Sequence, residues 1–375
     1  MKLARLPRPP LHVAAALALL TAPTLAGDVL VVDPGGGGDH TTLQDAVDAA
    51  AEGDTILVNG GQYTVFQGGA SAVIDGKSLS IARGTGGEPY LRGTVEVSNL
   101  AGAQEVQIQG LRIHELLVTD CTGDVLLENI NEDVNSFSLQ HSLAVVGSSN
   151  VVATGSVFSG LSGFEVCGGQ CNYGADGGPG VQVLDSTVSL YHCRLEGGNG
   201  DDGAWLPCGV GGEGGHALLV SDGTSRVRYL STDFLPGLGG LGGCGDGLDG
   251  DPVSAPAGTV AELTTPVTLF SGPATATAGS SVDLEITGPP GAVVYLLTTT
   301  DLRSRFLPLS AGILHMKTFS LEVLPAVPAS GTLVHSLSIP ALPPGADARW
   351  RLMQAVFSQS GSRFLGPPRG LIAVR

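Results

Sequence analysis

The sequence predicts an all-β protein in two parts, a parallel β-solenoid followed by a small β-sandwich. Two observations lead to this prediction. A short apolar pattern recurs along the first two thirds of the chain without intervening helices. The long glycine-rich segments of that region end near residue 252. The composition agrees, because glycine is frequent, only 14% of residues are charged and 42% are hydrophobic. Such a chain is globular and poor in long helices.

The repeat has apolar residues at positions 1 and 3, a semi-apolar residue at position 6 and usually an apolar residue at position 8. Helix-free repeats of this order are typical of solenoids, and stacked coils would align equal positions about 4.8 Å apart. We therefore expect the position-1 valines to form one inward column and position 6 to face a narrower, mixed interior. A β-sandwich with chance similarity is the alternative. The copies begin at Val106, Val125, Val151, Val188 and Val227.

The segment TTLQDAVDAAAEGDTILVNGGQY, residues 41–63, predicts how the solenoid begins. Apolar residues at helical spacing predict a helix over Thr42–Glu52 with one buried face. Thr42 and Asp45 fit a capping box, and Gly53 suits the helix stop. A helix–strand unit of an α/β domain is the alternative. The buried positions are Leu43, Ala46, Val47 and Ala50.

This segment resembles the N-terminal cap and first coil of right-handed parallel β-helix proteins, the pectin-lyase-like superfamily. Many members of that superfamily cleave polysaccharides, so the resemblance implies a carbohydrate-related function. The diagnostic motifs of the polygalacturonase type are mostly missing. Asp201-Asp202 matches its Asp-Asp motif but lies in a glycine loop, and Gly215-His216-Ala217 lacks the third residue of its Gly-His-Gly motif. No pair of carboxylates can be placed for inverting hydrolysis, which needs about 6.5–9.5 Å between them.

The chain divides into four predicted parts. Residues 1–26 read as a secretory signal, with a basic start, a short apolar run and a small-residue cleavage site. A β-helix with glycine-rich insertions follows over 27–251, then a linker at 252–258 and a β-sandwich module over 259–375. We therefore expect a secreted or cell-surface protein without a transmembrane segment. The module looks like the small sandwiches often appended to exported bacterial proteins, which implies attachment or binding.

The charge lies in the solenoid. Residues 28–256 hold 29 acidic and 7 basic side chains, a net charge of −22. Such a surface repels nucleic acid and anionic membranes, and it also repels polyuronates unless cations bridge them. We therefore exclude nucleic acid as a partner.

Export permits disulfides, and all six cysteines lie in the exported part. Cys121 and Cys193 fall in strand-like contexts and are expected to be unpaired. Loop placement predicts two bridges among the others, Cys167–Cys171 and Cys208–Cys244, although six cysteines allow 15 connectivities.

Two sets of side chains are candidates for chemistry. Arg226 and Arg228 flank an inward valine, so both should point outward, and an outward arginine near carboxylates could serve as the base of a polysaccharide lyase. Their alternative role is to balance an acidic face. A second set, Tyr191, His192 and Arg194, could contact a sugar, the tyrosine by stacking on its ring. The plainer alternatives are a turn-edge aromatic, a surface histidine and an ion pair of Arg194 with Asp233.

Residues 242–251, GGCGDGLDGD, place Asp246, Asp249 and Asp251 in one flexible loop. Carboxylate oxygens suit calcium, and the loop partly resembles the nonapeptide of calcium-binding β-rolls. That nonapeptide works in tandem copies and occurs here once, so a plain acidic loop is the alternative. Calcium is the only cofactor that the sequence suggests.

Three functions remain open at this stage. The first is a noncatalytic exported solenoid that binds or organises extracellular polysaccharide or surface material. The second is a polysaccharide lyase or another carbohydrate-active enzyme that works on the outer face of the β-helix. The third is a cell-surface adhesion or structural protein. The missing motifs favour a noncatalytic protein, and whether the chain is an enzyme stays undecided.

Overall fold

The computed structural model describes residues 27–64, 70–132, 142–163, 173–203, 208–266, 268–300, 302–306 and 312–375. The predicted signal at 1–26 lies outside these residues, and so does the predicted Cys167–Cys171 bridge. No helix among the described residues has the length and apolarity to cross a membrane.

The regular elements described between Val29 and Glu262 are short strands and one helix. In order they are β1 (Val29–Val32), the helix α1 (Leu43–Ala49), β2 (Thr55–Val58), β3 (Gly61–Thr64), β4 (Ala70–Asp75), β5 (Leu79–Arg83), β6 (Pro89–Ser98), β7 (Glu105–Gln109), β8 (Arg112–Thr119), β9 (Asp124–Glu128), β10 (Asn131–Glu132), β11 (Leu143–Val146), β12 (Val151–Thr154), β13 (Val157–Ser159), β14 (Val181–Leu184), β15 (Thr187–Tyr191), β16 (Arg194–Glu196), β17 (Leu218–Val220), β18 (Arg226–Leu230), β19 (Asp233–Leu235), β20 (Val253–Ser254) and β21 (Val260–Glu262).

These strands form three parallel sheets that run along one solenoid. Sheet A has the order β1-β2-β5-β7-β9-β12-β15-β18-β21. Sheet B has the order β3-β6-β8-β11-β14-β17-β20, with β4 beside β6 and β10 beside β8, and sheet C has the order β13-β16-β19. Because successive strands of each sheet come from successive turns of the chain, the region is a parallel β-helix, as the sequence predicts.

The predicted inward column is confirmed. Val106, Val125, Val151, Val188 and Val227 are partners in consecutive strands of sheet A and are essentially inaccessible to solvent. Position 6 is also confirmed as interior, with mixed chemistry in the order Leu111, Ile130, Ser156, Cys193 and Thr232. The buried hydroxyls there bond to the backbone, as when Ser156 Oγ accepts the Ile130 N–H at 3.0 Å.

The corner after the sheet A strand of each repeat copy requires a left-handed backbone. The residue at position 5 has a positive φ in all five copies, and it is glycine in two of them. Asparagine, histidine and serine fill the other three at a conformational cost that glycine avoids. The residues are Gly110, Asn129, Gly155, His192 and Ser231.

The N-terminal helix has the predicted cap but is shorter than predicted. Thr42 Oγ1 accepts the Asp45 N–H at 3.2 Å and donates to the Asp45 carboxylate at 2.6 Å. The helix ends at Ala49, before Gly53, because the chain turns extended at Ala50. Lys77 Nζ then donates to the carbonyls of Val47 and Ala50 at 2.8 and 2.7 Å. The four predicted apolar residues are buried in the solenoid core.

The glycine-rich insertions form an ordered arm of three stacked layers. The described residues of the first layer are 160–163 and 173–180, those of the second are 197–203 and 208–217, and those of the third are 235–251. Every third residue of a layer donates its N–H to the next layer, as in Gly197 to Leu235 O and Gly200 to Leu238 O, both at 2.8 Å. Three residues is the period of a polyproline II helix, and no described glycine of the arm has a left-handed φ.

The arm needs glycine because its backbones touch. A Cβ at Gly200 would lie 2.1 Å from the Gly212 carbonyl oxygen, and one at Gly212 would lie 2.1 Å from the Ala175 carbonyl oxygen. A disulfide between Cys208 and Cys244 joins the second layer to the third, as predicted. Cys121 and Cys193 are unpaired and buried, also as predicted.

The solenoid continues beyond the predicted boundary. Residues 252–258, interpreted as a linker, contain β20, whose Val253 pairs with Leu218. The last strand, β21, pairs Val260 with Val227. A further partial turn therefore moves the end of the β-helix from residue 251 to Glu262. Pro256 and Gly258, which suggest a linker, lie in the turn between these two strands, and Pro252 directly precedes β20.

The remaining residues form the predicted sandwich module. Its strands are β22 (Leu269–Ser271), β23 (Thr275–Thr277), β24 (Ser281–Thr287), β25 (Val293–Thr299), β26 (Leu302–Phe306), β27 (Ile313–Met316), β28 (Ser320–Ala326), β29 (Thr332–Ser338), β30 (Ala348–Gln359) and β31 (Ser362–Val374).

The module has two main sheets around one core. The sheet β22-β24-β29 faces the sheet β23-β31-β30-β25-β28, and the hairpin β26-β27 is separate. The core includes Leu284, Ile286, Val294, Met353 and Phe357. The stretch Leu314–Leu321 is divided between β27 and β28 because the chain turns through three exposed residues after Met316.

Candidate functional site

The outer face of sheet A is covered by the module. Tyr191, which is 1% exposed, lies in an apolar cluster that draws on both parts of the chain. The solenoid contributes outward side chains of consecutive coils, and the module contributes β26, β27, β30 and β31. The members include Leu126, Val152, Tyr191, Leu230, Leu302, Ile313, Trp350, Leu352 and Ile372. The lyase candidates Arg226 and Arg228 lie on β18 of this sheet.

A buried ion pair fixes the module on this face. Arg369 Nη1 lies 2.9 Å from Glu128 Oε1, and the Gly370 N–H donates to Glu128 Oε2 at 2.8 Å. Gln109 Nε2 donates to the Gly370 carbonyl at 3.3 Å. Burial raises the pKa of Glu128, while the Arg369 charge and the Gly370 N–H act against that rise. The side chains of the pair are 12% and 1% exposed, so the carboxylate depends on the arginine for its charge balance.

Two of the predicted sugar contacts belong to this interface. The Tyr191 hydroxyl lies 2.8 Å from His315 Nε2, and the two rings meet edge to face with centroids 5.5 Å apart. Burial raises the pKa of Tyr191 and lowers that of His315 to about 3. His192 Nε2 lies 2.6 Å from the Thr268 carbonyl oxygen. Tyr191 and His192 therefore hold the module, and a sugar ring cannot reach the tyrosine face.

In the register of sheet A, Arg226 lies beside Thr187 and Arg228 lies beside Ser189. Arg226 Nη1 donates to the Ser225 carbonyl at 2.6 Å and to the Gly223 carbonyl at 3.0 Å, so it braces the preceding turn. Arg228 is half-buried, and its charge acts against the rise in the Tyr191 pKa. Arg226 is therefore exposed but engaged with the backbone, and Arg228 is only partly accessible.

The carboxylates near these arginines also have structural partners. Asp222 accepts the backbone N–H of Asp185 at 2.6 Å and the Ser225 hydroxyl at 2.7 Å. Hydrogen bonds from Thr224 and Ser225 hold the pKa of Asp222 well below its usual range. An aspartate stabilised as the anion in this way is a weak proton acceptor.

The aspartates of the predicted calcium loop serve the arm. Asp249 Oδ1 accepts the Gly239 N–H at 2.9 Å, and Asp246 Oδ1 accepts the Gly242 N–H at 3.1 Å. Asp251 lies beside His216, with Oδ2 at 3.8 Å from Nδ1. Within the described ranges, no three side chains of histidine, cysteine, aspartate or glutamate group in a way that could hold a metal ion.

Polar side chains line a different surface, which we call the outer column. In sheet B, Gln62 pairs with Tyr90, Tyr90 with Arg112, and Arg112 with Asn131. Sheet C continues the same line, because the Val157 N–H bonds to the Ile130 carbonyl at 2.8 Å. The members are Gln62, Tyr90, Arg112, Asn131, Val157, Arg194 and Asp233, all partly or fully exposed. With coils about 4.8 Å apart, the column runs for about 29 Å along the solenoid axis.

Tyr90 organises the cationic part of the outer column. The Arg112 guanidinium carbon lies 4.7 Å from the Tyr90 ring centroid, and that of Arg92 lies 5.9 Å from it. These are cation–π distances, so the ring orients both guanidinium groups. Asn131 Nδ2 donates to Glu88 Oε1 at 2.8 Å, which fixes the next amide in the line.

Arg194 is the predicted site residue that lies in the outer column. It is opposite Asp233 in register, but its ion pair is with Glu196 on its own strand. Three of the seven solenoid cations, Arg92, Arg112 and Arg194, thus lie on or beside one column. The sequence pattern already contained Arg112, Asn131 and Arg194 at position 7 of the repeat. It did not reveal Gln62 and Tyr90, because their coils lie outside the five copies.

Comparison with known proteins gives no family for this chain. No protein-family model matches it, and no curated protein matches it. Two solved structures align over most of its length at low similarity. Full-length tailspike protein 2 of an Escherichia coli O157:H7 bacteriophage aligns at 11% identity and a TM-score of 0.22, over 91% of this chain and 56% of the tailspike.

The second structure is the enzymatically active domain of tailspike protein 2 of bacteriophage CBA120. It aligns at 10% identity and a TM-score of 0.18, over 93% of this chain and 64% of that domain. The chain thus spans less than two thirds of either structure. The assignment of the fold to a parallel β-helix rests on the strand pairing of this chain itself.

Proposed function

We propose that this protein is an exported, noncatalytic β-helix that binds extracellular polysaccharide along the outer column. The single observation that carries the proposal is the line of amide, aromatic and guanidinium side chains from Gln62 to Arg194, which is interrupted by Val157. Amides and guanidinium groups donate hydrogen bonds to sugar oxygens, and arginine also pairs with carboxylates in a bidentate manner. A line parallel to the solenoid axis suits an extended polymer.

The arrangement of charge supports an anionic or mixed glycan. The solenoid as a whole repels polyanions, yet Arg92 and Arg112 are held side by side on the Tyr90 ring. A local pair of cations can contact one sugar carboxylate, while the acidic surroundings limit binding elsewhere on the surface. The expected preference is therefore a polysaccharide with spaced acidic groups rather than a continuous polyuronate.

The lyase alternative has less support. Its residues, Arg226 and Arg228, lie on the sheet that the module covers, and Arg226 is engaged with backbone carbonyls. We expect no unsaturated products when the mature protein is incubated with polysaccharides, with or without calcium. The adhesion alternative uses the same exposed surfaces and differs in having a protein partner.

The outer column can be tested by substitution of its central residues. Affinity electrophoresis of the mature protein against a panel of neutral and acidic polysaccharides identifies a retained glycan. We expect Tyr90→Ala and Arg112→Ala each to weaken that retention at least tenfold, because each substitution removes direct contacts with the glycan. Loss of the Tyr90 ring also leaves the guanidinium groups of Arg92 and Arg112 without the surface that orients them.

Arg375→Ala is the matched control, since it removes the same charge from a surface ion pair of the module. Circular dichroism must show that all three variants are folded. Retention that survives both outer-column substitutions would refute the site. Release of unsaturated sugars by the wild type, abolished by Arg228→Ala, would establish the lyase alternative instead.

A further inference from the structure

Polar side chains link each layer of the glycine arm to the next. Asn199 Oδ1 in the second layer accepts the Leu238 N–H of the third at 2.9 Å, and Asp202 Oδ1 accepts the Leu241 N–H at 2.8 Å. Between the first and second layers, Ser162 Oγ accepts the Asn199 N–H at 3.3 Å. A short polar residue at these positions thus serves the layer above it.

The return segments of the arm repeat the same arrangement. Asp176 Oδ1 in the first layer accepts the Glu213 N–H of the second at 2.8 Å. The Gly214 N–H then bonds to the carbonyl of Leu248, so Glu213 is followed one layer up by Leu248. The bridging positions of the third layer are therefore Leu238, Leu241 and Leu248.

The third layer ends the stack. Gly160 and Gly197 donate upward from equivalent positions, and the next equivalent is Pro236, which has no N–H. On the return side, Gly180 and Ala217 donate upward, and the next equivalent is Pro252. The N–H groups of Gly239 and Gly242 are taken by Asp249 and Asp246. A further hydrogen-bonded glycine layer therefore has no donors at these four positions.

Leucine stands where the lower layers carry bridging polar residues. Leu238, Leu241 and Leu248 are 62%, 53% and 72% exposed, and Leu235 in the same row is 42% exposed. With three residues per turn and about 3.1 Å per residue, the row from Leu235 to Leu241 is about 19 Å long. Water would favour the polar residues that the same positions hold one layer below. We call these four leucines the leucine face.

The charges around the leucine face restrict what can cover it. The carboxylates of Asp202, Asp246 and Asp249 bond to the backbone of Leu241, Gly242 and Gly239, directly beside the leucines. The arm contains neither lysine nor arginine in its sequence. A second copy of this face would bring carboxylates against carboxylates, and an anionic membrane would be repelled in the same way.

We propose that the leucine face docks a protein whose apolar strip is flanked by lysine or arginine. The leucines supply the apolar area, and the aspartates around them supply charge complementarity and orientation. The inference does not depend on glycan binding by the outer column. The arm thereby has a purpose for its rigidity, because it holds an apolar row that begins at the end of β19 and continues along the third layer.

The test uses the mature full-length protein and two synthetic peptides. The first is an 18-residue amphipathic helix with a leucine face flanked by lysines, and the second has the same lysines with every leucine replaced by serine. Fluorescence anisotropy measures both affinities at ordinary ionic strength. The two peptides carry the same charge and differ only in their apolar side chains. We expect the leucine peptide to bind at least tenfold more tightly than the serine peptide, because only its leucines can pack against the leucine face.

The matched variant is Leu238→Asn with Leu241→Asn and Leu248→Asn. Asparagine already stands at the equivalent position of the second layer, as Asn199, so the arm should fold, and circular dichroism checks this. We expect the variant to lose the tenfold preference. A control with Leu321→Asn and Val323→Asn removes exposed apolar side chains of the module and should keep it.

Three results would overturn the proposal. The first is a wild type that does not distinguish the peptides. The second is a triple variant that keeps the preference. The third is concentration-dependent dimerisation of the wild type, measured by light scattering and lost in the triple variant, which would assign the leucine face to a second copy.

Discussion

Glu128 and Arg369 are the residues on which the joining of the two parts depends most. Their side chains come from positions 241 residues apart and meet where almost no solvent reaches. Burying two charges costs several kcal/mol, which the short contact and the Gly370 N–H offset. Removal of one partner leaves the other charge buried and unpaired, so this pair is far more sensitive than a surface pair.

We expect Arg369→Ala to lower the free energy of unfolding by about 3–5 kcal/mol at pH 7, measured by urea denaturation. The loss should shrink as the pH falls. Without the arginine, burial raises the Glu128 pKa further above its unfolded value of about 4.3. A carboxyl with a raised pKa in the folded protein is favourable below the unfolded pKa and becomes costly as pH rises through the folded pKa.

The exposed pair Arg375–Asp347 provides the comparison for this measurement. Its side chains are 60% and 48% exposed, so Arg375→Ala should cost less than about 1 kcal/mol. Equal losses in the two variants, or a loss in Arg369→Ala that does not change between pH 7 and pH 4.5, would contradict the role assigned to Glu128.

A second prediction at this scale concerns Asp249. Its side chain could act as a hydrogen-bond acceptor or as a calcium ligand, and substitution by asparagine distinguishes the two roles. Asparagine keeps an oxygen for the Gly239 N–H but loses the charge that calcium needs. We expect Asp249→Asn to keep the thermal unfolding midpoint of the wild type. Asp249→Ala should lower that midpoint, with a loss of about 1 kcal/mol in the free energy of unfolding. A midpoint that rises with added calcium in the wild type and not in Asp249→Asn would restore the calcium interpretation.

Single residues were the hardest part of the molecule to interpret from sequence. Tyr191 and His192 have the chemistry of a sugar site, yet they bond to His315 and Thr268 of the module. Neither partner is close in sequence, and the repeat pattern reports only which side of a strand a residue occupies. An outward aromatic residue on a solenoid fits a ligand site and a domain interface equally well.

At the scale of elements, the glycine arm shows how a segment rich in glycine can be rigid. Each layer is held by N–H groups that bond to carbonyls of the neighbouring layers every third residue. The layers are close enough that a methyl group does not fit between them. Order in the arm therefore comes from backbone contacts and not from side-chain packing.

We expect Gly212→Ala to destabilise the arm by about 1–3 kcal/mol, because its Cβ would lie 2.1 Å from the Ala175 carbonyl oxygen and 2.5 Å from its carbon. The measurement is the rate of limited proteolysis within residues 197–251. Gly223→Ala is the control, since nothing lies within 4 Å of a Cβ there and no left-handed φ is required. A proteolysis rate that is the same in the two variants would show that the layers are not tightly packed.

Elements with a regular period were predictable, and their connections were not. The five valines gave the register of sheet A because a strand shifted by one residue would expose its whole inward set. The arm escaped prediction because glycine carries no apolar pattern, and the three-residue spacing of Leu235, Leu238 and Leu241 matches the period of neither an α-helix nor a β-strand. The interpretation of residues 252–258 as a linker was wrong for a related reason. Pro252 directly precedes the two-residue strand β20, and Gly258 lies between β20 and β21, so the short strand is hidden among turn residues.

At the scale of the whole molecule, the module covers the outer face of sheet A. The interface joins an apolar cluster, a buried ion pair and the Tyr191–His315 contact. Because His315 is buried, its pKa falls to about 3, and the neutral ring is the form that the interface accommodates. The union of the two parts should therefore depend on pH.

The last prediction follows from the His315 pKa. A histidine whose pKa is lowered by folding contributes its stability above the unfolded value of about 6.5 and loses it as pH falls toward the folded value. We expect the interface to weaken by about 1.4 kcal/mol for each pH unit below 6.5. Trp350 lies in the interface cluster, so its fluorescence in a Trp205→Phe background reports the separation during urea titrations at successive pH values. His315→Gln cannot take up this proton and should remove that part of the slope, whereas Tyr191→Phe should keep it and lose only a constant amount. A His315→Gln variant with the acid sensitivity of the wild type would mean that other groups govern the separation.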